Sequence, residues 1–338
     1  MAANYEKRIL AERKRIHTTV FDVAFSPCGN FFAACNNFGS IAVYSLLSAL
    51  AQDASHQNRQ PIFTFDVEEG PIYTLLSTDT FLISGGSSEI SGWRWDDILE
   101  MSTTPSWKLS PPLSNINPLG VSETNALAYD KENNTLFSGC GDNNVYTWDL
   151  EMGICKNTFK GHEDYIHCLA LRDTTNECIS GSEDGSVRFW DCRLGSMTNK
   201  IEPYKDKNLN RPKYGNWIGC VAVDSNKEWM VCGGGPSLSV WHLRSMTCTS
   251  VLDTPNSAQQ TALFHEDTVI TAGTEASVFH WQVNGDLRSQ IPCTPSSVYA
   301  LRVNSASPEG KILLVGGTSS KIDTYINYGY KAFSFDFV

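Results

Sequence analysis

The sequence predicts an all-β fold, seven four-stranded antiparallel sheets set radially as the blades of a β-propeller. Three observations predict it. Short apolar runs of strand character recur in threes, and a fourth follows after a loop. Each third run carries an aromatic near its end: Tyr44, Trp95, Trp148, Trp190, Trp241, Trp281 and Tyr325, spaced 40–53 residues apart. Small-residue stretches close most second runs, starting at Ser84, Ser138, Ser180, Cys232, Thr271 and Val315. One twisted sheet of four strands cannot bury both its faces. Stacked radially, each sheet covers the next, and small residues let them approach near the axis.

The elements follow in chain order. The opening stretch "MAANYEKRILAERKRIHTT" reads as a helix from about Tyr5 to Arg15, with Ile9, Leu10 and Ala11 as a short apolar patch. Residues 1–17 are therefore expected to form a helical extension and residues 18–338 a single propeller. The extension has no apolar h-region and mixes acids with its bases, unlike a secretory signal or transit peptide. Blade one takes "VFDVAFS", "FFAACN", "SIAVYSL" and "PIFTFDV". Blade four takes "IHCLALR", "ECISGS", "SVRFWDC" and "NKIEPY". A polar insertion, Tyr204 to Trp217, precedes blade five. Blade seven takes "VYALRVN", "ILLVGGT", "KIDTYIN" and "KAFSFDF", so the C-terminus supplies its own fourth strand. The ring is then expected to close by sheet packing, without a strand borrowed from the N-terminus.

Composition narrows the chemistry. The 338 residues are 41% hydrophobic, enough for a sizeable core, and the net charge is −11. That balance argues against broad binding to phosphate backbones, which needs clustered Lys and Arg. The eleven Cys are odd in number and never spaced C-x-x-C. They read as free thiols in a reducing compartment, where the sequon Asn133-Asn134-Thr135 is an ordinary turn. No run of eighteen apolar residues exists, so no membrane span is expected. His162 and His167 are not at zinc-ligand spacing on a helix. "GGGPS" at Gly233 lacks the Lys and the following helix of a phosphate loop. No cofactor, metal or catalytic residue is expected.

The stretch from Gly161 to Asp191 opens on Gly-His and closes on Trp-Asp, the signature of a WD40 repeat. The chain resembles a seven-bladed WD40 β-propeller over nearly its whole length. The resemblance implies a buried network of His162, Ser180, Asp184 and Trp190: the histidine bonds the aspartate and the serine, and the serine bonds the indole. A catalytic reading of the same Ser, His and Asp needs an exposed nucleophile beside an oxyanion hole. The repeat instead places them inside a blade, so they are structural and the chain is not an enzyme. Blade three keeps Trp148-Asp149 without Gly-His, and blade five keeps Trp241 without the Asp.

Partner binding is expected on the loops. Aligned first strands put Phe21, Tyr73, Asn125, His167, Gly219, Gln260 and Tyr299 at the rim of the channel. Tyr299, Phe21 and Tyr73 would form one aromatic arc, and Tyr165 with Trp217 a second. Exposed aromatics of this kind are enriched at interaction hot spots. The insertion carries Lys205, Lys207, Arg211 and Lys213, a local basic patch that fits an acidic partner or RNA.

The residues outside the repeat are more specific. "SPCGNFFAACNNFGSIAVYSLLSAL", "GHEDYIHCLALR", "WIGCVAVDSNKEWMVCGGGPSLSVWHLRS" and the ending "INYGYKAFSFDF" are similar to the THO complex subunit 6 family, from about Thr18 to Phe337. That resemblance implies a non-catalytic scaffold of the transcription–export assembly (TREX), which couples mRNA processing and splicing to export. It implies a nuclear place, in speckles, with the cytoplasm second. It also implies contacts to other THO subunits, especially the coiled-coil subunits 5 and 7, with RNA met mostly indirectly and no membrane. The rival reading is a substrate receptor of a cullin-4 ubiquitin ligase. It rests on Trp190, Asp191 and Arg193, which resemble the W-D-x-R box that meets the cullin-4 adaptor.

Overall fold

Alternating apolar residues, bounded by Gly, Asn and Asp turns, set the strands of this protein. The structure is a computed structural model that describes residues 9, 12–112, 122–306 and 311–337. Among the described residues, 28 strands form seven four-stranded antiparallel sheets, the blades of a seven-bladed β-propeller. Blade one comprises Val20–Phe25, Phe31–Asn36, Ser40–Ser45 and Phe63–Asp66; blade two Ile72–Ser77, Phe81–Gly86, Ile90–Arg94 and Trp107–Leu109. Blade three comprises Thr124–Asp130, Thr135–Cys140, Asn144–Asp149 and Ile154–Lys160; blade four Ile166–Arg172, Glu177–Ser182, Val187–Asp191 and Ser196–Ile201. Blade five comprises Ile218–Val223, Trp229–Gly234, Leu238–His242 and Thr247–Leu252; blade six Gln259–His265, Thr268–Gly273, Ser277–Gln282 and Leu287–Pro292. Blade seven comprises Val298–Val303, Ile312–Gly317, Lys321–Ile326 and Tyr330–Asp336.

Two expectations need correction. The strand-ending aromatic of blade two is Trp93, not Trp95. Trp93 is the penultimate residue of its strand, the place held by Tyr44, Trp148, Trp190, Trp241, Trp281 and Tyr325 in theirs. Trp95 instead opens a short helix, Trp95–Leu99, whose first turn carries Asp96 and Asp97, acids that suit a helix N-terminus. Its indole donates to Ser77 Oγ at 3.0 Å. The fourth strand of blade four begins earlier than read, at Ser196, and ends at Ile201, because Pro203 starts a 3₁₀ turn.

Two compact units divide the chain: residues 1–84, 92–106 and 293–338 form one, residues 85–91 and 107–292 the other. In the first unit, the first strand of blade one lies against the first strands of blades seven and two. Val20, Phe32 and Tyr44 share a core with Leu314, Ile322 and Phe335 of blade seven. On the other face, Ile41 and Val43 share one with Ile72, Leu82 and Trp93 of blade two. In the second unit, the first strands of blades three, four, five and six pack in order. Val187 and Phe189 of blade four meet Ile218 and Met230 of blade five. The core thus lies between sheets, so second strands such as Thr135–Cys140 and Ile312–Gly317 are buried throughout.

The last strand, Tyr330–Asp336, pairs with Lys321–Ile326 of its own blade. Blade seven meets blade one through side chains instead of a shared strand. Phe335 sets its ring edge-on to Phe32 and Tyr44, at 4.8 and 5.3 Å. Tyr44 Oη donates to the Asp336 carbonyl at 3.1 Å. Arg59 stacks on Phe333 at 4.7 Å. Upstream of blade one, residues 12–17 are helical. The helix end is tied down, for Asn37 Nδ2 donates to the His17 carbonyl at 3.1 Å. Of the expected apolar patch, Ile9 is exposed, while Leu10 and Ala11, like the expected helix start at Tyr5, lie outside the described residues.

A buried carboxylate also binds three blades of the first unit. Asp22 of blade one accepts from Leu75 N at 3.0 Å and Thr74 Oγ1 at 3.4 Å on blade two. Arg302 Nη2 of blade seven donates to it at 2.8 Å. Burial still pushes the Asp22 carboxyl above its ordinary value, against the pull of Arg302 and these hydrogen bonds.

Because no strand is shared across this join, the ring packing must hold it. Phe335→Ala is expected to cost about 3–5 kcal/mol in urea unfolding, the range for an aromatic removed from a packed core.

Candidate functional site

The first strands carry β-bulges. Register slips by one residue near the start of the first strand in blades one, three, four, five, six and seven. The unpaired residue is Phe21, Asn125, His167, Gly219, Gln260 or Tyr299. Tyr73 holds the same second position in its strand. A bulge re-aims the extra side chain out of the ladder. These residues are the seven that the aligned sequence places at the rim.

In the first unit, Phe21 lies 5.5 Å from both Tyr73 and Tyr299, tilted against one and edge-on to the other. The three rings are half-buried. Among the described residues, no ring contact joins Tyr165 and Trp217. Tyr165 is half-exposed and lies over Gly141 of blade three. Trp217 lies over Gly219 and Gly234 of its own blade, with its indole donating to the Tyr214 carbonyl at 2.8 Å. His167 pairs with Glu183 at 2.8 Å, and Asn125 Nδ2 donates to the Ile166 carbonyl at 3.1 Å.

The basic insertion divides. Lys205 pairs with Glu202 at 2.6 Å. Lys207 and Lys213 are exposed, Lys213 lying 5.0 Å from the Tyr214 ring. Arg211 faces inward. Its guanidinium donates to the carbonyls of Gly234, Gly235, Pro236, Thr254 and Ser257 at 2.7–3.1 Å. It pins the insertion to blade five and to the segment leading into blade six. The glycine run explains itself here. A Cβ at Gly234 or Gly235 would collide with the Trp217 or Gly215 carbonyl of the insertion. Nothing in the sequence separates Arg211 from a surface cation, because five carbonyl acceptors from two connections leave no motif.

The blade-four residues come together inside the sheet. His162 Nδ1 lies 2.8 Å from Asp184 Oδ2, and Nε2 lies 2.7 Å from Ser180 Oγ. Trp190 Nε1 donates to Ser180 Oγ at 2.8 Å. Ser186 donates to Asp184 at 2.6 Å, and Phe159 of blade three stacks on Trp190 at 5.6 Å. Ser180 is fully buried, so no substrate reaches its hydroxyl. Burial pulls the His162 imidazole below its usual value, against the Asp184 carboxylate. Burial also pushes the Asp184 carboxyl up, but hydrogen bonds from His162 and Ser186 outweigh it and hold the group well below the carboxylate range. A neutral imidazole satisfies each contact: Nδ1–H donates to Asp184, and the Ser180 hydroxyl donates to Nε2 while accepting from the indole.

Other blades keep parts of this network. Trp148 donates to Ser138 at 2.9 Å, and Tyr146 Oη takes the missing histidine's role on Asp142 at 2.6 Å. Trp281 donates to Thr271 at 3.0 Å. In blade five the indole of Trp241 turns to Ser239 of its own strand, at 2.8 Å.

Of the W-D-x-R residues, Trp190 is buried. Asp191 caps the following turn by accepting from Arg193 N and Leu194 N at 2.8 and 3.2 Å. Arg193 is exposed and returns to Asp191 at 3.1 Å. Among the described residues, no three His, Cys, Asp or Glu gather as metal ligands. Burial pushes the Cys140 and Cys232 thiols up to about 12, which makes them poor nucleophiles.

Comparison with known proteins adds a family. The family described as "WD domain, G-beta repeat" matches residues 12–40, 120–149 and 153–191. The chain is 42% identical over 326 residues to THO complex subunit 6 of Homo sapiens, covering 96% of this chain and 94% of that one. It is 43% identical over 322 residues to the THO complex subunit 6 homolog of Danio rerio, covering 95% and 98%. It is 30% identical over 355 residues to THO complex subunit 6 of Arabidopsis thaliana, covering 96% and 94%.

Two measurements test the blade-four network. Trp190→Ala is expected to lose about 3–5 kcal/mol from packing, and Trp190→Phe about 0.5–1.5 kcal/mol from the lost indole hydrogen bond to Ser180, both read by urea unfolding. The second uses pH. A histidine whose folded pKa is depressed gives its full stability above its unfolded value of about 6.5 and loses it as pH falls through the folded value. His162→Gln is therefore expected to be less stable at neutral pH, yet to lose less midpoint than the parent on acidification below about 6.5.

Proposed function

The chain belongs to the THO complex subunit 6 family, and from that premise we propose that it is a non-catalytic scaffold subunit of a THO complex. In this role it holds other subunits by protein–protein contacts and supports mRNA processing and nuclear export within TREX. The observation that carries the reading is the identity of 42% sustained over 96% of the chain, well beyond the repeat segments that any WD40 protein shares. The chemistry fits. The one Ser-His-Asp set singled out by the sequence is sealed inside a blade, and the rim offers an aromatic arc.

The reading places the protein in the nucleus, in speckles, with the coiled-coil subunits 5 and 7 as neighbours and RNA met through them. It treats residues 1–17 as a helical arm and residues 18–338 as one propeller. Phe21, Tyr73 and Tyr299 are its first contact candidates. Tyr165, Trp217, Lys207 and Lys213 are the second set. The ligase-receptor reading has only the exposure of Arg193 in its favour, and that side chain is already turned onto Asp191.

Affinity capture of the tagged chain from nuclease-treated nuclear extract is expected to recover the other THO subunits in comparable amounts. The paired change Tyr73→Glu with Tyr299→Glu is expected to lower that recovery, while Arg193→Ala leaves it intact. Recovery of a cullin adaptor in their place, abolished by Arg193→Ala, would reverse the assignment.

A further inference from the structure

We propose that the aromatic arc of the first unit and the groove on blade one, joined by short stretches of chain, form a docking surface for a basic, Arg- or Lys-rich segment of a partner protein. The groove has a volume of about 490 Å³ and is lined by Lys14, Phe38, Asp66, Val67, Glu68 and Glu69. Asp66 and Glu69 are exposed. Neither has a basic partner among the described residues; Asp66 only accepts from Ser40 Oγ, at 2.6 Å. The groove floor is fixed. Gly39 has φ +77, and a Cβ there would collide with the Glu68 and Gly70 carbonyls, while Val67 N donates to the Gly39 carbonyl at 2.8 Å.

Groove and arc are continuous along the chain. Glu69 stands four residues before Tyr73. Thr19, two residues before Phe21, donates its N–H to Asn37 Oδ1 at 2.8 Å, beside Phe38. The surface already accepts one cation, since Lys14 Nζ lies 5.8 Å from the Phe38 centroid. Aromatic faces carry negative potential and attract ammonium and guanidinium groups. Unpaired carboxylates next to such faces steer a cation to them and repel phosphate. The same carboxylates argue against RNA stacking on the rings, and the net charge of −11 works in the same direction. The partner is therefore identified by chemistry as a cationic, extended protein segment. The inference rests on the rim being an interaction surface, and it does not depend on which assembly the chain joins.

The test is fluorescence anisotropy on the full chain with three labelled probes: a short peptide alternating Arg and Gly, its Glu-Gly counterpart, and an oligouridine of similar length. The Arg peptide is expected to bind, and the other two not to. Asp66→Asn with Glu69→Gln, and separately Tyr73→Ala with Tyr299→Ala, are each expected to weaken it about fivefold or more. Asp96→Asn with Glu100→Gln removes the same charge from exposed residues elsewhere on the surface and is expected to change it roughly twofold at most. Equal weakening by both charge pairs would reduce the binding to general acidity and overturn the proposal. So would unchanged binding in the groove variants, or a preference for oligouridine. If the double tyrosine variant melts early, the exposed Asp66 and Glu69 pair decides alone. Failure here with THO subunits still captured would sink the docking surface and leave the scaffold reading standing.

Discussion

Each blade has two apolar faces and can bury neither by itself; the remaining architecture depends on that constraint. A sheet packed on both sides reads as near-continuous apolar sequence, as in "ILLVGG" of blade seven, and takes small residues where a neighbour comes close. Gly316 shows the limit, since a Cβ there would stand 2.9 Å from Val20 of blade one. Stability is therefore nearest-neighbour in kind. It resides in side chains that cross from blade to blade, such as Phe335 onto Phe32 and Phe159 onto Trp190.

Polar groups caught between the sheets must be satisfied, and the blades do this in different ways. Blade four uses the His162, Asp184, Ser180 and Trp190 network. Blade three replaces the histidine by Tyr146. Blade one buries Asp22 and answers it from both neighbouring blades, so its charge depends on blades two and seven being in place. Blade seven buries Asp323, which receives Thr294 N, Ser334 Oγ and Lys331 Nζ at 2.6–2.8 Å and ties the preceding loop to the last strand. In a low-dielectric interior each device penalises any arrangement that leaves its members unpaired.

What the sequence makes legible follows from this division. Packing between sheets is periodic, so the strand pattern and the blade count could be read from spacing, while the blade-four network followed from the resemblance to the WD40 repeat. The residues aligned across the first strands share a physical feature, because the bulge falls at the second residue of every first strand for which register is defined. Contacts without a period were not legible. Trp95 matches the aromatic pattern as well as Trp93 does, and the strand's end one residue after Trp93 leaves no mark in the sequence. Arg302 sits in "VYALRVN" with no sign that Asp22 lies opposite, 280 residues away. Arg211 looks like its neighbours Lys205, Lys207 and Lys213, yet it alone is held by backbone carbonyls.

The distinction between Arg211 and the lysines changes where function can reside. A guanidinium with five carbonyl acceptors is part of the scaffold, and its removal would leave buried acceptors unpaired. It cannot also meet a partner. With Arg211 withdrawn and Lys205 neutralised by Glu202, the insertion offers two isolated lysines, too few for strong phosphate binding at ordinary salt. The first unit offers more: three rings in contact at the second positions of their strands, and a groove whose Asp66 and Glu69 have no basic partner among the described residues. Aromatic area that is already packed loses little entropy on binding, which is what makes such residues effective anchors. The physical balance of the described surface thus favours a protein segment over nucleic acid as a direct ligand.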